Sequence, residues 1–82
     1  MERKQFLTLC KEVSLLSPGI AGTIKKVPPE LLVTYDGIAY YPIYYEMHFK
    51  RGEYYDIAVL HDLKCNSLLH CELERVIIYD GR

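Results

Sequence analysis

Apolar positions at the start of the chain recur at three- and four-residue steps: Phe6, Leu9, Cys10, Val13 and Leu16. Arg3, Lys4, Lys11 and Glu12 occupy the opposite side. Such a stripe predicts an amphipathic helix from Glu2 to Leu16. Ser17-Pro18-Gly19 then stops it, because proline cannot donate the next helical hydrogen bond and glycine accepts a left-handed terminus.

Beyond the helix the period shortens to two. Ile20 to Val27 holds Thr23, Ile24 and Val27 with lysines between, a short strand broken by Pro28-Pro29. Leu31 to Tyr35 is apolar and β-prone, and it runs into Asp36-Gly37, a strong two-residue hairpin signal. The next strand spans Ile38 to Phe49, is rich in tyrosine, and carries Pro42 at a bulge, bend or edge position.

Lys50-Arg51-Gly52 reads as a three-residue loop with glycine in the left-handed place, followed by a strand from Tyr54 to about Leu60. The register that follows pairs Met47 with Tyr55, Tyr45 with Ile57 and Ile43 with Val59. This gathers apolar side chains on one face, as burial demands, whereas a two-residue loop would set Asp56 among them. The other face then carries Tyr40, Pro42, Tyr44, Glu46 and His48 beside Tyr54, Asp56, Ala58 and Leu60.

Leu69, Cys71 and Leu73 alternate with His70 and Glu72, which favours a strand after the polar, hairpin-like stretch Asp62 to Asn66. A helical face through Cys65, Leu68, Leu69, Leu73 and Val76 is the alternative; residues 66–77 would then be helical and the layout α-β-β-β-α. Val76 to Tyr79 reads as a short final strand after a tight turn at Glu72 to Arg75. The expected fold is therefore α+β and mainly β. One helix (1–17) precedes a β-rich body (20–80), either a five- to six-stranded antiparallel sheet or an SH3-like small barrel. The stretch from Asp36-Gly37 through Tyr40-Tyr41-Pro42 to Tyr54-Tyr55 resembles the strand pattern of Tudor-type barrels over less than half the chain. It rests on residue types common in sheets and identifies no family.

Composition narrows the possibilities further. Eighty-two residues suffice for one domain, and the balance of 10 Lys plus Arg against 11 Asp plus Glu gives a charge of −1. No global field draws the chain to phosphate backbones or anionic lipid, and no apolar run approaches a membrane span. Neither nucleic acid nor membrane is favoured as a partner. The 3 cysteines, Cys10, Cys65 and Cys71, are odd in number and form no CxxC pair. Met1 to Gln5 is charged and Phe6 to Cys10 is too short for a secretory apolar region, so free thiols in a reducing cytoplasm are expected. Eight tyrosines without a tryptophan suit half-exposed sheet positions, and tyrosine is also enriched at binding surfaces.

Each chemical constellation has a plainer explanation beside it. His61, Cys65, His70 and Cys71 match no tetrahedral ligand spacing, and adjacent strand residues point to opposite faces, so neither a metal nor a cofactor is expected. Cys65 near His61 is the only plausible thiol–base pair, and two residues in a turn set no geometry for catalysis. Glu46 facing Asp56 would form a solvated acid pair without a substrate cleft.

The expected function is a small non-enzymatic module that binds protein through the tyrosine-rich face, with Tyr40, Tyr44, Glu46, Tyr54 and Asp56 as contacts. Its partner is another protein or a second copy of itself in a homodimer. The alternative is a nucleic-acid-binding small barrel using Lys25, Lys26, Lys50 and Arg51, with tyrosines as stacking platforms. A small enzyme ranks last, since no pocket with perturbed titratable groups is foreshadowed.

Overall fold

A computed structural model describes residues 1–16, 28–62 and 64–80. Helix α1 spans Arg3–Leu16. Five strands follow: β1 (Val33–Tyr35), β2 (Ile38–Lys50), β3 (Glu53–Asp62), β4 (Leu68–Glu72) and β5 (Ile77–Ile78). Short 3-10 turns at Pro29–Leu31 and Leu73–Arg75 lead into β1 and β5. The sheet is antiparallel in the order β4-β3-β2-β1-β5 and stays open, without closing into a barrel. The architecture is thus the expected helix-plus-sheet form rather than the barrel. The strand expected over 20–27 lies outside the described residues.

Helix α1 buries Phe6, Cys10 and Val13, a single stripe at four- and three-residue steps. Leu9 is half-buried, but Leu16 is exposed, so the packed stripe ends one turn earlier than the apolar pattern predicts. The core gathers Phe6 and Cys10 with Val33, Tyr40, Ala58, Leu60, Cys71, Leu73 and Val76. Phe6 and Leu60 are fully enclosed, and burial of side chains this size contributes roughly 1.5–3 kcal/mol each. The Met1 nitrogen donates to the carbonyls of Leu73 and Val76 at 3.2 and 2.9 Å, fastening the helix start to the second 3-10 turn.

Both hairpins turn on two residues in the left-handed region. Asp36 and Gly37 have φ of 55° and 80°, and Arg51 and Gly52 have 52° and 79°. Two successive positive φ values define the turn whose twist matches that of paired strands. The second turn corrects the expected three-residue loop. Lys50 pairs with Glu53, Phe49 with Tyr54, Met47 with Asp56 and Tyr45 with Ala58. The pairing shifts between Pro42 and Tyr44, leaving Ile43 as the extra residue of a bulge, and beyond it Pro42 pairs with Leu60 and Tyr40 with Asp62. None of the three expected pairs forms: pairing is off by one from Tyr44 to the turn, Val59 takes Tyr44 in place of Ile43, and the offset those pairs implied returns only from Pro42 to Tyr40.

Residues 66–77 do not form the alternative helix: a strand, β4, is followed by the 3-10 turn at Leu73–Arg75. β4 pairs with β3 from Ile57↔Glu72 to His61↔Leu68, in the alternation read from Leu69, Cys71 and Leu73. The connection is shaped by Asp62, whose Oδ1 accepts from the backbone N–H groups of Lys64 (2.7 Å) and Cys65 (3.3 Å). Those hydrogen bonds, the one from Lys64 foremost, hold the Asp62 carboxyl below its usual range.

Candidate functional site

A one-residue slip in a strand sends every side chain to the opposite face. The expected contact set accordingly divides in two. Tyr44, Glu46 and His48 lie on the face away from the helix, with Tyr55, Ile57 and Val59 opposite them in the ladder. Tyr40 and Pro42 lie on the helix side with Tyr54, Asp56, Ala58 and Leu60. Tyr40 is only 7% exposed and sits in the core, so it is not available to a partner. Burial, then the carboxylate of Asp62, keeps its phenol protonated above the ordinary value of 10.0. Met47 and Tyr45, expected inward with Tyr55 and Ile57, do face the helix side, but beside Asp56 and Ala58. Glu46 and Asp56 are on opposite faces and form no acid pair.

On the helix side, the Tyr45 hydroxyl donates to Asp56 Oδ1. Arg3, in the first turn of α1, brings its guanidinium to 3.4 Å from the same oxygen and over the Tyr45 ring at 5.6 Å from its centroid. Asp56 is thus half-buried and engaged. The two-residue turn puts it on the packed face, and Tyr45 and Arg3 satisfy it there.

Toward the turn, past this cluster, the helix-side face is open. Phe49 is 63% exposed, Tyr54 70% and Met47 46%. The rings of Phe49 and Tyr54, paired across the strands, meet at 4.8 Å between centroids and 52° between planes. Tilted rings at this separation attract through edge and face charge. The outer face adds Tyr44, 43% exposed. Glu46 Oε1 there lies 3.3 Å from His48 Nε2 and 3.7 Å from His70 Nε2, linking β2 to β4 across β3.

No known family, curated protein or solved structure matches this chain. The chemistry must therefore be read from the residues themselves.

His48, Lys50, Arg51, Tyr55, Ile57 and Glu72 line a shallow depression of about 370 Å³ on the outer face. Lys50 and Arg51 are exposed at the turn, while Lys25 and Lys26 lie outside the described residues. At the far end of the hairpin, Tyr41 stacks on His61 at 6.1 Å and 16°. The His61 Nε2–H donates to Asn66 Oδ1 at 2.7 Å, and its Nδ1 is buried without a hydrogen-bond partner among the described residues. Cys65 is exposed and its Sγ meets Ser67 Oγ at 3.3 Å. His70 and Cys71 point to opposite faces of β4. Among the described residues, no group of three or more His, Cys, Asp or Glu side chains converges on a metal position.

Cys10 and Cys71 are buried free thiols. Burial raises Cys10 from 9.0 to about 12 and lifts Cys71 as well. Protonated, enclosed thiols are poor nucleophiles and behave as small apolar side chains.

The sequence reading missed Phe49 and Met47 as surface residues. Both lie on the helix side as the alternation of β2 predicts, and they are exposed because the hairpin there extends past the residues that pack on the helix.

Proposed function

We propose that this chain is a non-enzymatic, cytoplasmic protein-binding module whose contact surface is the turn-proximal half of the β2–β3 hairpin. The observation that carries the reading is the exposure together of Met47, Phe49 and Tyr54 on one face and Tyr44 on the other. Clustered large apolar side chains rimmed by charge are a hallmark of interaction surfaces. The rim is present: Lys50, Arg51 and Glu53 at the turn, Glu46 and Asp56 farther along. Of the residues chosen from sequence, Tyr44, Glu46, Tyr54 and Asp56 remain in the site and Tyr40 leaves it. Three free cysteines accord with a reducing compartment.

Replacing Tyr44 and Tyr54 together with serine tests the reading. Capture of a protein partner, or self-association, is expected to be lost while unfolding stays cooperative with a midpoint near that of the parent. Unchanged capture removes the hairpin from the function.

A second reading, nucleic-acid binding, draws support from His48, Lys50 and Arg51 around the outer-face depression with Tyr55 beside them. Glu72 lines the same depression and weakens the case. Titration of labelled single-stranded DNA and RNA at two salt concentrations separates the two, since phosphate binding weakens steeply as salt rises.

A further inference from the structure

The edge of β2 carries the inference. In the sheet order β2 lies between β3 and β1, yet β1 pairs only with Ile38, Ala39 and Tyr40. From Tyr44 to Lys50 no described strand lies along that side of β2. A free strand edge presents unpaired N–H and C=O groups to any chain that can align with them. The bulge at Ile43 and Lys50 bound the edge, and between them Tyr44 to Phe49 is rich in β-formers. Among the described strands, none pairs with the outer edge of β3 from Glu53 to Asp56, and β4 covers it from Ile57 to His61.

The hairpin sets which backbone groups are free. In a two-residue hairpin the residues flanking the turn exchange hydrogen bonds, so Lys50 points its backbone groups to β3. By alternation Lys50, His48, Glu46 and Tyr44 point inward to β3. Tyr45, Met47 and Phe49 then offer their amides and carbonyls to the open side. An antiparallel partner must align outward-pointing residues with outward-pointing residues, which leaves few registers.

Charge selects among these registers. Centring a two-fold axis on Glu46 sets two carboxylates face to face, and centring it on His48 opposes two imidazoles. Centring it on Met47 places Glu46 opposite His48 of the partner subunit, twice over, and Tyr45 opposite Phe49 of the partner subunit. No like charges then meet along the edge.

We propose that two copies of this chain pair antiparallel through the open edge of β2, with Met47 on the two-fold axis and Glu46 facing His48 of the partner subunit. The inference rests on the reading of the hairpin as the contact surface and names a second copy as its occupant. Main-chain hydrogen bonds from Tyr45, Met47 and Phe49 join the two sheets into one. On the outer face each Glu46, already 3.3 Å from its own His48 and 3.7 Å from His70, gains a third imidazole. On the helix side Met47, Tyr45 and Phe49 of both copies form one apolar strip. Such a contact is isologous and closes on itself, so it yields a dimer rather than a fibre.

Sedimentation equilibrium from about 10 µM to about 1 mM measures the pairing, the range in which a modest interface populates a dimer. The unmodified chain is expected to dimerise within it. Glu46→Lys and His48→Glu, each alone, are expected to raise the dissociation constant about tenfold or more, because His48→Glu sets carboxylates opposite one another twice and Glu46→Lys removes both carboxylates that face the imidazoles. An equimolar mixture of the two variants is expected to recover the dimer, since both facing pairs are then complementary. Met47→Pro removes an outward amide, a change that edge strands tolerate, and is expected to leave a folded monomer. Should that variant not fold, the charge exchange still decides.

A chain monomeric up to about 1 mM overturns the pairing, as does a dimer indifferent to both charge variants. The hairpin reading fails separately: its mark is protein capture that survives the paired serine substitutions at Tyr44 and Tyr54.

Discussion

Tyr45 on β2 donates its hydroxyl to Asp56 on β3, and Arg3 at the start of the helix reaches both. The acid is thereby accommodated on the packed face, to which the two-residue turn brings it, opposite Met47. Tyr45→Phe is expected to cost about 1 kcal/mol, the ordinary net value of one hydrogen bond. Arg3→Ala is expected to cost no more than about 1 kcal/mol, because both charged partners are well exposed to water. Urea unfolding of each variant measures the difference.

The Tyr45 phenol is also a probe of that contact. Burial foremost, then the hydrogen bond and charge of Asp56, raise it above 10.0. A group raised on folding stabilises fully below its unfolded value, and the stabilisation is lost as pH climbs toward the folded one. Stability is thus expected to fall above about pH 10, the ordinary tyrosine value. Asp56→Asn is expected to bring the Tyr45 titration, followed by carbon NMR of its ring, back toward that value.

The thiols give a sharper contrast. Cys65 is exposed, whereas Cys10 is enclosed and raised to about 12. In the native protein a thiol reagent is expected to modify Cys65 quickly, and Cys10 and Cys71 only on unfolding. The same linkage applies to Cys10: below pH 9.0 its contribution is intact, and between there and about 12 it drains away as the unfolded thiol ionises first. Cys10→Ala is expected to flatten that part of the stability profile, measured by urea unfolding across the range.

The turn at Arg51-Gly52 is open to direct test. Both residues have positive φ, which glycine accepts freely and arginine does not. Arg51→Asn is expected to stabilise by a few tenths of a kcal/mol, since asparagine tolerates the left-handed region. Gly52→Ala meets no steric neighbour, yet is expected to destabilise by about 1 kcal/mol through backbone strain alone. Thermal melts of the two variants should move in opposite directions.

Two leucines of the sheet differ in the cost of truncation. Leu60→Ala empties a fully buried position and is expected to cost about 2–5 kcal/mol. Leu68→Ala, exposed on the outer face of β4, is expected to change stability by less than about 0.5 kcal/mol. Denaturant midpoints at equal slope check both.

Much of the architecture was legible because its signals are local. Phe6, Cys10 and Val13 repeat at helical steps, Asp36-Gly37 carries the residues a tight hairpin needs, and Leu69, Cys71 and Leu73 alternate as a strand should. The register of the long hairpin was not legible. From Tyr40 to Phe49 aromatic and aliphatic residues fall on both faces, so alternation does not single out a buried side. Arginine in a left-handed turn position is unusual, and nothing beside Gly52 announced it. The bulge at Ile43 then absorbed one residue, so pairing from Pro42 to Tyr40 kept the expected offset while pairing near the turn did not. The approach of His70 to Glu46 depends on three strands in register and has no local signature at all.

Cross-strand NMR contacts between α-protons test this most directly, because the face on which Tyr54 and Asp56 lie, and the backbone groups that β2 leaves open, follow from the hairpin pairing. In antiparallel strands such contacts are strongest between pairs that exchange no hydrogen bonds. Strong signals linking Met47 to Asp56 and Tyr45 to Ala58 are the result expected here. Signals linking Met47 to Tyr55 and Tyr45 to Ile57 would contradict it, returning Asp56 to the outer face and dissolving both the exposed hairpin surface and the edge built on it.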